Sequence, residues 1–123
     1  MLKSMLPRFG ITTTFVDPND VANFEAAVQD NTRLIFAEAL GNPKLDVLDL
    51  AAISKVAKKY KVPFMVDNTV ATPALLKPIE HGVNIVIHSL TKYLNGNGTA
   101  MGGVIIDAGT FDWSSGKLSL IHI

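Results

Sequence analysis

Short runs rich in β-branched and aromatic residues alternate along this chain with longer amphipathic runs. The short runs are residues 11–16, 33–38, 62–66, 83–88 and 102–107. Residues 62–66 are apolar on both faces, as expected for a buried parallel strand. Strands that alternate with helices are typical of a mainly parallel sheet, so the pattern predicts an α/β fold with helices on both faces of the sheet.

The first helix is predicted to begin at Asp17-Pro18. An Asp can accept hydrogen bonds from the free amides of a first turn, and Pro at the first helical position loses no hydrogen bond. Val21, Phe24 and Val28 recur at helical spacing as far as about residue 29. These three residues therefore form one apolar stripe that is expected to face the sheet.

A second helix is predicted over residues 47–60. Its lysines lie off the apolar face or in the last turn, where they complement the helix dipole. The apolar face comprises Leu50, Ile53, Ala57 and Tyr60. Further along, Thr72-Pro73 and Pro78 predict short helical turns that end at Gly82.

The charge balance argues against two classes of partner. Eleven basic residues match eleven acidic ones, and the pI is about 6.8. A neutral chain lacks the attraction that draws proteins to nucleic acids or to acidic lipids, and no apolar run reaches the ~20 residues of a membrane span. The chain contains no cysteine, and its start has no secretory signal pattern. We therefore expect a cytoplasmic protein that binds neither nucleic acid nor membrane.

Polar residues follow three of the predicted strands. Asn42 follows the second strand, Asp67 the third, and Ser89, Thr91 and Lys92 the fourth. Asn42 and Asp67 are 25 residues apart, as are Asp67 and Lys92, so each interval holds one helix and one strand. The carboxyl ends of parallel strands share one sheet edge, where ligands bind. The spacing predicts a site at this edge.

Each of these residues alone has a simpler explanation. Asp67 and Asn42 are common in turns, Ser89 and Thr91 can cap a helix, and most lysines, such as Lys92, are surface cations. Their coincidence at one edge favours chemistry instead. An unprotonated lysine can form an imine with an aldehyde, a carboxylate can keep a pyridinium protonated, and hydroxyls can bind a phosphate. Pyridoxal 5'-phosphate (PLP) presents these three groups.

The motifs at these positions resemble a known enzyme family. The sequence is similar to the cysteine and methionine metabolism branch of fold type I PLP enzymes, whose fold is aspartate aminotransferase-like. The likeness runs from Leu6 to Trp113. The residues that carry it are Leu6-Pro7-Arg8-Phe9-Gly10, Thr12-Thr13-Thr14-Phe15-Val16, Gly41-Asn42-Pro43, Val66-Asp67-Asn68-Thr69 with Thr72-Pro73, and His88-Ser89-Leu90-Thr91-Lys92-Tyr93. The resemblance implies that the chain is part of the large PLP-binding domain.

The resemblance also implies a role for each site residue. Lys92 would hold PLP covalently and shuttle protons. Asp67 would pair with the ring nitrogen, and Ser89 and Thr91 would bind the phosphate. Asn42 would bond near the ring 3-oxygen, and the peptide bond that follows it is a candidate for the cis form.

Within the family, Gly-Asn-Pro at residues 41–43 most resembles the O-acetylhomoserine sulfhydrylase subgroup. That subgroup replaces the γ-acetoxy group of a small amino-acid substrate with sulfide or a thiol, giving homocysteine or methionine. Cystathionine γ-synthase and methionine γ-lyase share the early steps and remain alternatives. An inactive binding or assembly module is the alternative of another class. Asn97 stands where many relatives have histidine, so we assign it no catalytic role.

Two other patterns carry little functional weight. The three histidines, His81, His88 and His122, have no zinc-ligand spacing, so no metal site is predicted. The glycines of residues 96–102 precede a strand rather than a helix, which argues against a dinucleotide site.

The family's enzymes are several times longer than this chain. We therefore expect residues 1–117 to be a partial PLP-binding domain with negligible turnover of its own. Residues 118–123 continue no family pattern and are expected to be a tail, such as a translated sequencing adaptor. The resemblance implies that the parent enzyme is a homodimer or homotetramer.

Overall fold

The structure, a computed structural model, describes residues 2–114. Its centre is a four-stranded sheet in the order β1-β2-β3-β4. The strands are β1 (Ile35–Glu38), β2 (Phe64–Asp67), β3 (Ile85–Ser89) and β4 (Gly103–Asp107). The first three run parallel, and β4 is antiparallel to β3. The predicted α/β class with a mainly parallel sheet is confirmed.

Helical segments precede and connect the strands. The α-helices are α1 (Val21–Ala27), α2 (Leu50–Tyr60) and α3 (Thr72–Leu75). Within residues 2–114, two 3-10 turns (Leu6–Phe9 and Pro78–His81) and one π-helical turn (Leu90–Leu94) are the remaining helical segments. Helix α2 begins later than predicted, because the side chain of Asp49 caps it by accepting a 2.9 Å hydrogen bond from the Ala52 amide. In the part of the chain that the structure describes, none of these helices is long and apolar enough to cross a membrane.

The core lies between one face of the sheet and helices α1 and α2. The strand register brings four buried side chains onto this face: Ile35, Phe64, Val66 and Val86. Helix α2 packs Ile53 and Ala57 against them, and α1 adds Phe24. Burying a large apolar side chain contributes about 1.5–3 kcal/mol, so each of these contacts helps to hold the two helices on the sheet. The predicted stripes of both helices are confirmed.

The strand predicted over residues 11–16 is wrong. This segment is irregular, and Ile11 and Phe15 are about half exposed. The three threonines favour extended backbone, but a strand also needs a neighbour to pair with. Residues 11–16 have no strand partner within residues 2–114.

The predicted start of the first helix is also wrong, by several residues. Asp17 instead closes a turn, where its Oδ1 accepts a 3.0 Å hydrogen bond from the Asn19 amide. The cap is Asp20, whose Oδ1 accepts from the Ala22 amide at 2.9 Å. Both aspartates suit a cap, and the one adjacent to the apolar stripe takes it.

The opposite face of the sheet is more open. It carries the apolar residues Phe36, Met65, Ile87 and Ile105, of which Phe36 and Ile105 are exposed. In the described part of the chain, α1 and α2 pack on the core face. The division at residue 117 stays a prediction, and residues 118–123 lie outside the described residues.

Candidate active site

Three strands end at one edge of the sheet with polar side chains on the open face. Glu38 pairs with Asp67 across β1 and β2, and Asp67 pairs with Ile87 of β3. Ser89 lies two residues beyond Ile87, so its side chain falls on the same face as that of Asp67. The parallel topology thus brings the ends of β2 and β3 together, as the spacing predicts.

Asp67 has one oxygen engaged and one free. Its Oδ1 accepts a 2.9 Å hydrogen bond from the Thr69 amide, and the residue is half-buried. Its Oδ2 has no hydrogen-bond partner among residues 2–114. A carboxylate oriented by its own loop, with an oxygen left over, can receive a protonated ring nitrogen.

Ser89 and Thr91 form a hydroxyl pair at the end of β3. Their Oγ and Oγ1 atoms are 2.6 Å apart, and the Thr91 amide donates to Ser89 Oγ at 3.3 Å. Both residues are half-buried. Two adjacent hydroxyls offer the donors that a phosphate group needs.

Lys92 occupies an irregular point in the π-helical turn. Its φ of −115° and ψ of −135° break the helical geometry of its neighbours. The turn is tied back to the start of β4, since the Leu90 amide donates to the Gly102 carbonyl at 2.9 Å. Lys92 is exposed, and within the described chain its Nζ makes no hydrogen bond or ion pair. An amine at this edge with no partner is available for chemistry.

Asn42 follows β1 at the same edge. Its amide donates a 3.0 Å hydrogen bond to Oε2 of Glu38, and its peptide bond to Pro43 is cis. Asn42 is exposed, so its side-chain amide is open to a ligand. The structure therefore brings all five predicted site residues to the same edge of the sheet.

Two supporting residues were missed at the sequence level. Glu38 holds the turn at Asn42. Its position as a polar residue at the end of a strand could have indicated this role. Asn68 is fully buried, and its Nδ2 donates to the carbonyls of Thr72 and Leu76 at 3.2 and 2.9 Å. Asn68 thus holds the loop that follows Asp67, and no sequence pattern shows this.

The donor set suits one cofactor. A free amine, a carboxylate oxygen without a partner and a hydroxyl pair correspond to the aldehyde, the ring nitrogen and the phosphate of PLP. These groups sit at the carboxyl ends of parallel strands, where α/β folds bind ligands. Fold and donor set together fit the cofactor-binding domain of a PLP-dependent enzyme.

Comparison with known proteins leads to the same class of enzyme. The family model of the Cys/Met metabolism PLP-dependent enzymes matches residues 1–121. O-acetyl-L-homoserine sulfhydrylase of Leptospira meyeri is 54% identical over 95% of this chain and 26% of the relative. The corresponding enzyme of Corynebacterium glutamicum is 49% identical over 91% of this chain and 26% of the relative. The chain belongs to the Cys/Met metabolism PLP-dependent enzyme family, as its motifs predict.

Two solved structures show the same fold. One, from Campylobacter jejuni, is described as an O-acetylhomoserine (thiol)-lyase with N'-pyridoxyl-lysine-5'-monophosphate at one position. It is 44% identical, with a TM-score of 0.82 over 85% of this chain and 26% of that one. The other is cystathionine γ-lyase from Lactobacillus plantarum complexed with L-serine, 40% identical, with a TM-score of 0.82 over 85% of this chain and 27% of that one. The chain spans about a quarter of the length of the proteins it matches.

Proposed function

We propose that this chain is part of a PLP-dependent enzyme that replaces the γ-acetoxy group of O-acetylhomoserine with sulfide or a thiol. The observation that carries the proposal is the set of an amine, a carboxylate and a hydroxyl pair at one edge of the sheet. The identities of 54% and 49% with two O-acetyl-L-homoserine sulfhydrylases support this substrate. The products are homocysteine, or methionine with methanethiol, together with acetate.

Lys92 is proposed as the residue that binds the cofactor covalently. Its Nζ is free within residues 2–114, and the pyridoxyl-lysine in the Campylobacter jejuni structure supports this assignment. The amine of Lys92, once free, would accept the α-proton of the substrate and return it further along the substrate. PLP supplies the electron sink that makes the α-proton removable.

The other residues are proposed to hold the two ends of the cofactor. Asp67 would place Oδ2 against the ring nitrogen, because its Oδ1 is held by the Thr69 amide. The carboxylate would keep that nitrogen protonated. Ser89 and Thr91 would donate their hydroxyls to the phosphate. Asn42 would donate its side-chain amide near the ring 3-oxygen.

A C–S bond-cleaving activity is the second candidate. The similarity to cystathionine γ-lyase, at 40% identity, favours it. Methionine γ-lyase belongs with this candidate because it also cleaves a C–S bond. Cystathionine γ-synthase forms a C–S bond instead and is a separate alternative. From the family resemblance we also propose that the parent enzyme is a homodimer or homotetramer, and we propose a cytoplasmic location for it.

A chimeric enzyme tests the proposal. In it, the segment of this chain that matches Leptospira meyeri O-acetyl-L-homoserine sulfhydrylase replaces the corresponding segment of that enzyme. We expect the chimera to bind PLP with visible absorption and to form homocysteine and acetate from O-acetylhomoserine and sulfide. Turnover of cystathionine or methionine without turnover of O-acetylhomoserine would favour the second candidate.

A pair of lysine variants tests the covalent residue. Lys92→Ala should abolish the visible absorption of the bound cofactor. Lys55→Ala, which removes an exposed lysine of α2, is the matched control and should retain it. Unchanged absorption in Lys92→Ala would refute the assignment of this lysine.

The binding-module alternative makes a different prediction for the isolated chain. In the described part of the chain, β1 and β4 are the edge strands of the sheet, and β4 is exposed along its whole length. Unpaired edges promote association, so we expect the isolated chain to self-associate in analytical ultracentrifugation. A monomer that unfolds cooperatively would favour the module instead.

A further inference from the structure

Thr69 makes a hydrogen bond on each side of the candidate site. Its amide donates to Oδ1 of Asp67 at 2.9 Å, and its Oγ1 accepts from the Ser89 amide at 2.8 Å. Thr69 is half-buried. One residue thus contacts both the end of β2 and the end of β3.

The hydrogen bond from the Ser89 amide to Thr69 Oγ1 takes the place of a backbone hydrogen bond between β2 and β3. The amide of Asn68 donates to the Ile87 carbonyl at 3.0 Å, the last backbone bond between the two strand ends. Strand β2 stops at Asp67, and the Ser89 amide turns to the hydroxyl of Thr69 instead. A hydroxyl at this point is therefore needed to satisfy a half-buried backbone amide.

The hydrogen bonds continue beyond Ser89. Its Oγ lies 2.6 Å from Oγ1 of Thr91, so a continuous series of contacts runs from the Asp67 carboxylate through Thr69 to the hydroxyl pair. The two ends of this series are the groups proposed to hold opposite ends of PLP. The ring nitrogen and the phosphate belong to one small molecule, so their binding groups must keep a set separation.

We propose that Thr69 is a positioning residue that sets the separation between the carboxylate of Asp67 and the hydroxyls of Ser89 and Thr91. This inference rests on the proposed function. Thr69 acts through its neighbours, because its amide orients the carboxylate and its hydroxyl fixes the start of the phosphate-binding turn. Loss of the hydroxyl leaves the Ser89 amide unpaired and frees that turn to shift.

The test uses three variants of the chimera. Thr69→Val keeps the β-branched shape and removes the hydroxyl, whereas Thr69→Ser keeps the hydroxyl. Thr110→Val is the matched control, since it removes a 3.1 Å hydrogen bond between Asn84 and Thr110 at the other end of β3. The measurements are the PLP dissociation constant, the ³¹P resonance of bound PLP, and amide exchange in the apo protein for the peptide that contains Ser89.

We expect Thr69→Val to weaken PLP binding roughly tenfold, or about 1.4 kcal/mol. It should also shift the ³¹P resonance and speed amide exchange at Ser89. Thr69→Ser should stay within about twofold of the parent, because it restores the hydrogen bond. Thr110→Val should leave all three measurements unchanged.

Three outcomes would overturn the inference while the proposed function stands: parental PLP affinity in Thr69→Val, failure of Thr69→Ser to restore affinity, or an equal loss in Thr110→Val. A parent chimera that binds no PLP would instead refute the proposed function. The two failures are therefore distinguishable.

Discussion

Glu38 and Asp67 occupy paired positions at the ends of two neighbouring parallel strands, so two carboxylates lie side by side on the open face of the sheet. Each is engaged by the loop that follows it. Oε2 of Glu38 accepts from the Asn42 amide at 3.0 Å, and Oδ1 of Asp67 accepts from the Thr69 amide at 2.9 Å. The two carboxylates are thereby held by separate backbone donors, and each shapes one loop of the site.

Replacement of Glu38 should loosen the turn at Asn42. Glu38→Ala removes the acceptor of the Asn42 amide. The lost hydrogen bond is worth about 1 kcal/mol, so that amide should exchange roughly fivefold faster. Glu38→Gln keeps an oxygen acceptor and should exchange at close to the parental rate. Amide exchange of the peptide that contains Asn42, measured on the chimera, checks the difference. Equal exchange in the two variants would show that Glu38 does not hold this turn.

Replacement of Asp67 should separate cofactor binding from catalysis. Asp67→Asn in the chimera should retain PLP, because Lys92 still binds it, but the ring nitrogen loses its anionic partner. Exchange of the substrate α-proton with deuterated solvent should fall by about a hundredfold or more, or about 2.7 kcal/mol in the barrier. Asp30→Asn, at an exposed position, is the control and should exchange at the parental rate. NMR measures the rates, and an unchanged rate in Asp67→Asn would contradict its assignment.

The elements that could be predicted from the sequence are those whose local pattern and burial agree. Helix α2 buries Leu50, Ile53 and Ala57, the residues that recur at helical spacing. Strand β2 is buried on its core face and half-buried on the other, as its apolar run indicates. The location of the site could be predicted from topology alone, because parallel strands bring Asp67 and Ser89 to the same end of the sheet.

The features that could not be predicted depend on distant partners. Residues 11–16 have the composition of a strand but no strand partner within residues 2–114. The roles of Asn68 and Thr69 depend on carbonyls and amides brought near by folding, which no spacing rule describes. The direction of β4 depends on the connection before it, residues 90–102, which holds a π-helical turn but no crossover α-helix. Parallel pairing usually needs such a helix, so its lack favours antiparallel pairing.

A side chain at Gly82 should destabilise the fold. Its φ of +87° lies in the left-handed region, and a Cβ there would be 3.1 Å from Cβ of Ser54 on α2. Gly82→Ala should therefore lower the unfolding free energy by roughly 1–2 kcal/mol for the backbone alone, plus the cost of the contact. Gly10→Ala, with a φ of +74° and no atom within 4 Å, isolates the backbone contribution. Thermal unfolding of the two chimeras checks the order, and equal losses would exclude the contact with Ser54.

Helices α1 and α2 are joined by an ion pair on the surface. Lys59 of α2 donates a hydrogen bond to Oε1 of Glu25, and the Tyr60 hydroxyl donates to the same atom at 3.2 Å. The hydrogen bond from Lys59, followed by that from Tyr60, lowers the pKa of Glu25. The same contact with Glu25 raises the pKa of Lys59. The pair therefore links the packing of the two helices to pH.

The sign of that linkage differs at the two ends of the pH scale. The folded pKa of Glu25 is lowered, so its contribution to stability is present above about pH 4.3, the ordinary pKa of Glu. This contribution is lost as the pH falls through the folded pKa. Because the pKa of Lys59 is raised, its contribution to stability is present below about pH 10.4 and is lost as the pH rises through the folded pKa.

The difference in thermal midpoint between the chimera and its Glu25→Gln variant should thus be constant near neutral pH and shrink in acid. Glu80→Gln, from the exposed 3.6 Å pair with Lys77, is the control and should give a smaller difference at neutral pH. A difference for Glu25→Gln that stayed constant into strong acid would mean that this ion pair does not join α1 to α2 in solution.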